Sequence, residues 1–294
     1  MTETDSMRLL ILSGLSGAGK SVGLHVLEDL GFYCIDNLPA ALLKSLLEQV
    51  RDADDSVDRI AVGIDARNPQ ADIEQLPEVV RDIRDSGVQT EIIFLQADDD
   101  VILKRFSESR RRHPLTSGGS DLREAISREK AILGQIINAA DLIIDTTRTS
   151  VYELGDLMRE RIDRRRDHML SILVESFGFK HGLPADVDFV FDLRCLPNPY
   201  WQPKLRPLTG LDAPVREFLD NDDLSQKMFH DILGFLKNWI PRYRQFDRSY
   251  LTIGIGCTGG QHRSVYMTEK LAAALRETQE PVLTRHSELA TRRT

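Results

Sequence analysis

Cysteine is scarce and scattered: Cys34, Cys195 and Cys257 lie far apart and form no Cys-x-x-Cys pair. That spacing excludes a disulfide framework and a cysteine-based zinc site, and it fits a reducing compartment. Long apolar runs are missing too, with nothing near the ~18 residues that a bilayer span requires. Residues 1–7 are polar and acidic and lack the basic start and apolar core of a secretory signal. A cytoplasmic location with no membrane partner is therefore expected. There is no internal repeat and no low-complexity stretch, which excludes solenoids and extended linkers. An excess of positive charge is also lacking. The formal net charge is −8, so any nucleic-acid contact must come from a local basic patch. What remains is a soluble globular composition, 41% hydrophobic over 294 residues, enough to build a core in each of two domains.

Short apolar runs alternate with helical spacing through the first half. Strands are expected at 8–13, 32–35, 60–64, 91–95 and 142–144. Helices are expected at 20–30, 38–50, 77–86, 99–112, 121–138 and 150–167. This alternation predicts a parallel sheet covered on both faces. The second half carries strands at 171–175, 187–192 and 250–255, a proline-rich loop at 196–207, and helices at 223–243 and 263–277. The long helix should bend or end at Pro241. The predicted fold class is α/β: a kinase-like P-loop NTPase domain at 1–155, then a second α/β domain with a phosphate-binding loop at 156–294.

The segment Gly14, Leu15, Ser16, Gly17, Ala18, Gly19, Lys20, Ser21 fits G-x-x-x-x-G-K-S, with a strand directly before it and a helix directly after it. Glycines permit left-handed backbone and close approach to a ligand, and backbone N–H groups at a helix start favour an anion. Lys20 would reach the β- and γ-phosphates, and the Ser21 hydroxyl would ligate Mg²⁺. The bland alternative is a glycine-rich turn with an exposed lysine. Asp65 and Asp36 each close a strand and are the candidates for a second acidic group at the metal, Asp65 being preferred. Either could instead cap a turn. Arg110, Arg111, Arg112 and His113 stand before a Gly/Ser loop, either as an arginine lid over phosphates or as cations at a helix C-terminus.

A second anion loop is expected at Cys257, Thr258, Gly259, Gly260, Gln261, His262, Arg263, Ser264, again between a strand and a helix. It reads C-x5-R-S. Arg263 offers a planar fork for phosphate, and Asp192 with Arg194 could face a sugar or phosphate. Phosphatase chemistry would need a Cys257 thiolate and a general acid, and no acid-loop motif is present. A structural turn holding a buried cysteine is the plain alternative. Tyr200 and Trp201 end a rigid loop and form either a binding wall or core packing. Arg285, His286, Arg292 and Arg293 are either a weak, salt-sensitive RNA contact or a solvated tail.

The stretches GLSGAGKS, FYCIDNLP, DARN, RFSESRRRHPL, VESFGFKHGLP, FDLRCLPNPYW and IGCTGGQHRSV occur in order along nearly the whole chain. Together they resemble the RapZ/YvcJ family of bacterial nucleotide-binding proteins. The resemblance implies ATPase and GTPase activity with ATP, GTP and Mg²⁺ as ligands. It implies an ATP-binding segment at 14–21 and a GTP-binding segment at Asp65, Ala66, Arg67 and Asn68. By resemblance to enteric members it also implies a homo-oligomeric adaptor that binds small RNA, recruits an endoribonuclease and senses an amino-sugar phosphate in its C-terminal domain. Three functional classes stay open: a slow nucleotide hydrolase acting as a switch, with Lys20 and Asp65 as catalytic groups, an RNA-binding adaptor, and a small-molecule kinase.

Overall fold

The computed structural model describes residues 7–52, 57–109, 111–116, 121–162, 170–246, 248–278 and 281–290. It divides into two compact units, Met1–Asp163 and Arg164–Thr294. In the first unit the elements run β1 (Arg8–Gly14), α1 (Lys20–Asp29), β2 (Tyr33–Ile35), α2 (Leu43–Asp52), β3 (Arg59–Gly63), α3 (Gln70–Asp85), β4 (Gln89–Gln96), α4 (Asp99–Ser109), α5 (Leu122–Asn138), β5 (Leu142–Asp145) and α6 (Val151–Ile162). The five strands form one sheet in the order β2-β3-β1-β4-β5, and every pairing is parallel. β1 is central, and from Leu9 onward every residue of it is buried. A strand with partners on both edges and helices on both faces has to be apolar throughout. Parallel strands also deliver all their C-terminal ends to one edge. The phosphate loop, Asp36, Asp65 and Thr146, which follow β1, β2, β3 and β5, therefore meet there.

The second unit repeats this logic with β6 (Ser171–Gly178), β7 (Phe189–Asp192), α7 (Ala213–Asp220), α8 (Asp223–Gln245), β8 (Tyr250–Cys257), α9 (Arg263–Arg276), β9 (Val282–His286) and α10 (Ser287–Ala290). Its sheet order is β7-β8-β6-β9, all parallel. A cluster from β6, β8, α8 and α9, including Ile172, Ile253, Leu236 and Leu271, forms its core.

Several boundaries differ from the sequence expectation. The units divide at 163/164, within the helix expected at 150–167 and eight residues beyond the 155/156 division, and α6 buries Leu154, Leu157 and Met158 in the first unit. α3 begins at Gln70 and carries Pro77 inside it; Ile73 and Leu76 hold the early turns on the core despite the proline. α4 ends at Ser109, so Arg111 and Arg112 lie past the helix, and Arg110 lies outside the described residues. α8 continues through Pro241 to Gln245. Arg285 and His286, expected in a tail, are half-buried in β9, while Arg292 and Arg293 lie outside the described residues. No helix among the described residues is long and apolar enough to cross a membrane.

Gly23 sets how closely α1 approaches the sheet. A Cβ there would stand 2.8 Å from Leu12 Cδ2 and 3.1 Å from Met158 Sδ. Gly23→Val will overpack this contact and lower stability by about 1–3 kcal/mol, as measured by denaturant unfolding.

Candidate nucleotide site and second anion loop

The phosphate loop is shaped by its glycines and by what grips its carbonyls. Gly14, Gly17 and Gly19 have φ of 141°, 86° and 107°, values open to glycine and strained for other residues. A Cβ on Gly14 would collide with the Leu95 carbonyl oxygen. Leu15 and Ala18 point inward and are buried, while Gly17 and Ser21 are exposed. The Arg105 guanidinium donates to Gly17 O at 3.0 Å and to Thr146 O at 2.6 Å. The Thr146 hydroxyl donates to Ala18 O at 3.0 Å. Because a trans peptide sets N–H opposite C=O, the grip on the Ala18 carbonyl turns the Gly19 N–H to the other side of that peptide.

Lys20 donates to Gly14 O at 2.6 Å. Burial pushes its pKa below the ordinary lysine value, with Glu129, Asp65 and Asp36 acting in the opposite direction. Lys20 and Ser21 line a cavity of about 680 Å³ together with Asp36, Asp65, Arg67, Arg105, Phe106, Arg111 and Arg112. That volume lies within the range of small-molecule sites.

Asp65 is buried, and both of its oxygens accept from Arg67: Oδ1 from Nε at 3.0 Å and Oδ2 from Nη2 at 2.7 Å. Burial raises its pKa, but the Arg67 hydrogen bonds and the Lys20 charge outweigh that and leave it lowered. Asp36 is exposed on the same cavity. The segment Asp65–Asn68 closes on itself: Asn68 N donates to Asp65 O at 3.0 Å, and the Asn68 side chain accepts from Ala40 N at 2.7 Å. Ala66 is buried, so Arg67 is the one residue of the four that is exposed. The segment forms a wall of the phosphate-loop cavity.

Glu129 is the residue that motif reading missed. It lies in α5, and its carboxylate accepts from Ser16 N at 2.9 Å and the Ser16 hydroxyl at 2.6 Å. His113 Nε2 stands 3.1 Å away. Burial raises the Glu129 pKa, while His113, Ser16 and Lys20 bring it below the ordinary value. A sequence signal did exist: Glu129 falls on the stripe Ala125, Ile126, Leu133 and Ile136 that α5 buries, where a lone carboxylate needs a partner.

In the second unit the loop after β8 is built around Cys257 and Arg263. Cys257 is 3% exposed; its sulfur accepts from Gly260 N at 3.2 Å and lies 3.2 Å from the Ser264 hydroxyl. The Arg263 fork is largely spent on protein. Its Nη1 donates to the carbonyls of Leu193, Arg194 and Leu196 at 3.3, 3.1 and 2.8 Å, and Nη2 donates to Thr258 Oγ1 at 3.3 Å. Nε has no hydrogen-bond partner among the described residues. His262 is buried, and its ring nitrogen lies 3.2 Å from Leu205 O; burial lowers its pKa against several backbone contacts. Gln261 O accepts from Gly210 N at 2.8 Å, and Gly259 backbone packs on Gly178. Asp192 does not face the loop with a free carboxylate: both oxygens bind Arg194 at 2.7–3.0 Å. Tyr200 and Trp201 are 46% and 74% exposed, which overturns core packing for them. Arg206 lies over the Tyr200 ring at 4.8 Å.

The depressed Glu129 pKa has a consequence for stability. A carboxyl whose folded pKa lies below its unfolded value stabilises above the unfolded value, about 4.5. That stability is lost as pH falls through the lower folded value. Thermal unfolding of the wild type will lose stability through this acid window, and Glu129→Gln will lose part of that slope while starting less stable at neutral pH.

Residues 7–166 match the family model described as RapZ-like N-terminal domain, and residues 170–290 match the RapZ C-terminal domain. A nucleotide-binding protein of Marinobacter nauticus is 50% identical over 285 residues, covering 96% of this chain and 97% of the relative. A nucleotide-binding protein of Halorhodospira halophila is 49% identical over 285 residues, covering 97% and 99%. A solved shikimate kinase from Bacteroides thetaiotaomicron is similar at 15% identity with a TM-score of 0.36, over 54% of this chain and 99% of the kinase. With both units matched in order and relatives aligned over nearly their full length, the chain belongs to the RapZ family of nucleotide-binding proteins.

Proposed function

We propose that the first unit binds ATP and GTP in one cavity and hydrolyses them slowly, as a switch. The observation that carries this reading is the convergence of Lys20, Ser21, Asp36, Asp65, Arg67, Arg111 and Arg112 on the cavity at the phosphate loop. The loop N–H groups and Lys20 would hold the β- and γ-phosphates, and Arg111 and Arg112 would meet charge developing on the γ-phosphate. The available donors, the Ser21 hydroxyl and the Asp36 carboxylate, are hard oxygens that fit Mg²⁺. Asp36 is favoured over Asp65, whose oxygens Arg67 already occupies. Bound Mg²⁺ supplies neutralisation of phosphate charge. Asp65 then acts by fixing Arg67 on the cavity wall. Because 65–68 and 14–21 border one cavity, ATP and GTP should exclude each other.

A second reading is favoured by the second unit. Among the described residues Arg263 Nε is buried without a hydrogen-bond partner, a donor that a sugar phosphate entering the loop would satisfy. The exposed Tyr200 and Trp201, with Arg206 beside them, offer bases a stacking surface next to positive charge. Under this reading the protein is an oligomeric adaptor that presents small RNA to an endoribonuclease under control of a sugar phosphate.

Wild type will turn over ATP and GTP with Mg²⁺ at roughly 10⁻⁴ to 10⁻² per second, and Lys20→Ala will abolish both. Each nucleotide will inhibit hydrolysis of the other competitively. Equal turnover by Lys20→Ala, or simultaneous occupancy by both nucleotides in calorimetry, would sink the assignment. For the second reading, Tyr200→Ala with Trp201→Ala will weaken RNA retention by about tenfold per stacked base, and retention will fall steeply with salt. Retention indifferent to both changes rejects it.

A further inference from the structure

His113 sits where three parts of the first unit meet: the exposed segment bearing Arg111 and Arg112, helix α5, and the phosphate loop. Its side chain is fully buried, and that of Glu129 is 1% exposed. Nδ1 accepts from Leu115 N at 3.2 Å, so this nitrogen carries no proton. In the neutral ring the proton is then on Nε2, which faces Glu129 at 3.1 Å. The same carboxylate holds both the N–H and the hydroxyl of Ser16. An apolar contact runs in parallel. The His113 ring lies 5.2 Å from that of Phe106, and Phe106 Cε2 stands 3.2 Å from where a Cβ on Gly17 would be. Ser16 and Gly17 are thus gripped from two sides by groups that both touch His113.

We propose that His113 is a positioning residue that couples the arginine segment to the phosphate loop through Glu129. This rests on the reading of the cavity as a triphosphate site and adds what places the arginines there. Arg111 and Arg112 immediately precede the anchor, and consecutive Cα atoms are about 3.8 Å apart. Fixing His113 therefore confines both arginine backbones to within about 8 Å of it. Both side chains line the cavity. Any shift of Ser16 on phosphate binding passes to Glu129, then to His113, then to the two arginines. The arginines close on the phosphates as a consequence of the loop being filled.

The test separates position from simple binding. Mg·ATP affinity is measured by calorimetry and turnover by single-turnover hydrolysis, for wild type, His113→Ala, His113→Gln, Arg111→Ala/Arg112→Ala and the combination of His113→Ala with the arginine pair. His113→Ala should keep affinity within about threefold and lose about tenfold in turnover. His113→Gln, whose amide N–H can replace Nε2–H toward Glu129, should recover most of that loss. Adding His113→Ala to the arginine pair should cost nothing further, as expected for residues acting as one unit. Multiplying losses, or no recovery in His113→Gln, overturns the proposal. A second readout does not depend on hydrolysis: trypsin cleavage after Arg111 and Arg112, followed by mass spectrometry. Mg·ATP should slow it in wild type and His113→Gln but not in His113→Ala. Equal protection in His113→Ala overturns the coupling. Protection in this pattern without any wild-type turnover rejects the hydrolase reading and leaves the coupling standing.

Discussion

A carboxylate removed from water must be surrounded by donors or lose its charge, and Glu129 meets that demand by taking Ser16 and His113. Much of the first unit's site geometry depends on this. The carboxylate fixes one end of the phosphate loop to α5, while Arg105 and Thr146 fix its middle to α4 and to the end of β5. Glu129 also contributes negative charge near Lys20, which burial would otherwise push further toward the neutral form. The loop is held open by groups that do not belong to its motif.

The second unit solves a similar problem with the opposite sign. There a buried guanidinium, Arg263, gathers the carbonyls of 193, 194 and 196 and so folds the proline-rich segment against the loop after β8. In both units a parallel sheet ends at a glycine-containing turn and a helix start, and one buried charge joins that turn to chain distant in sequence. The two sites differ in what is left over: Lys20 and three exposed arginines on the cavity of the first, and, among the described residues, an Arg263 Nε without a hydrogen-bond partner at the second.

Local pattern carried eight of the nine strands and both strand–turn–helix junctions, after β1 and after β8, because each of these is written within about ten consecutive residues. β1 and β8 are buried at nearly every position and read as short apolar runs. What was not legible is non-local. Ser16 and Glu129 are separated by 113 positions, and no spacing rule links them. Arg263 fits a phosphate fork by motif, yet its partners are fixed by where the 193–196 segment folds. β9 was missed because Arg285 and His286 look like tail residues; in place, His286 lies between the Ser176 hydroxyl at 2.9 Å and Glu269 at 3.0 Å. α7 was missed because eight residues give too few turns for a periodic signal.

The strand orders also set a timetable for synthesis. β1 is the first strand made, yet its two neighbours are β3 and β4, so it stays open on one edge until residue 96 has left the ribosome. β6 lies between β8 and β9, and its second edge is covered only after residues 282–286 have emerged. For the whole interval a central, fully buried strand of each unit is left with an unpaired edge, a state prone to pairing with other chains. A nascent chain stalled between residues 257 and 282 would carry a completed phosphate loop and a second sheet still lacking its last strand.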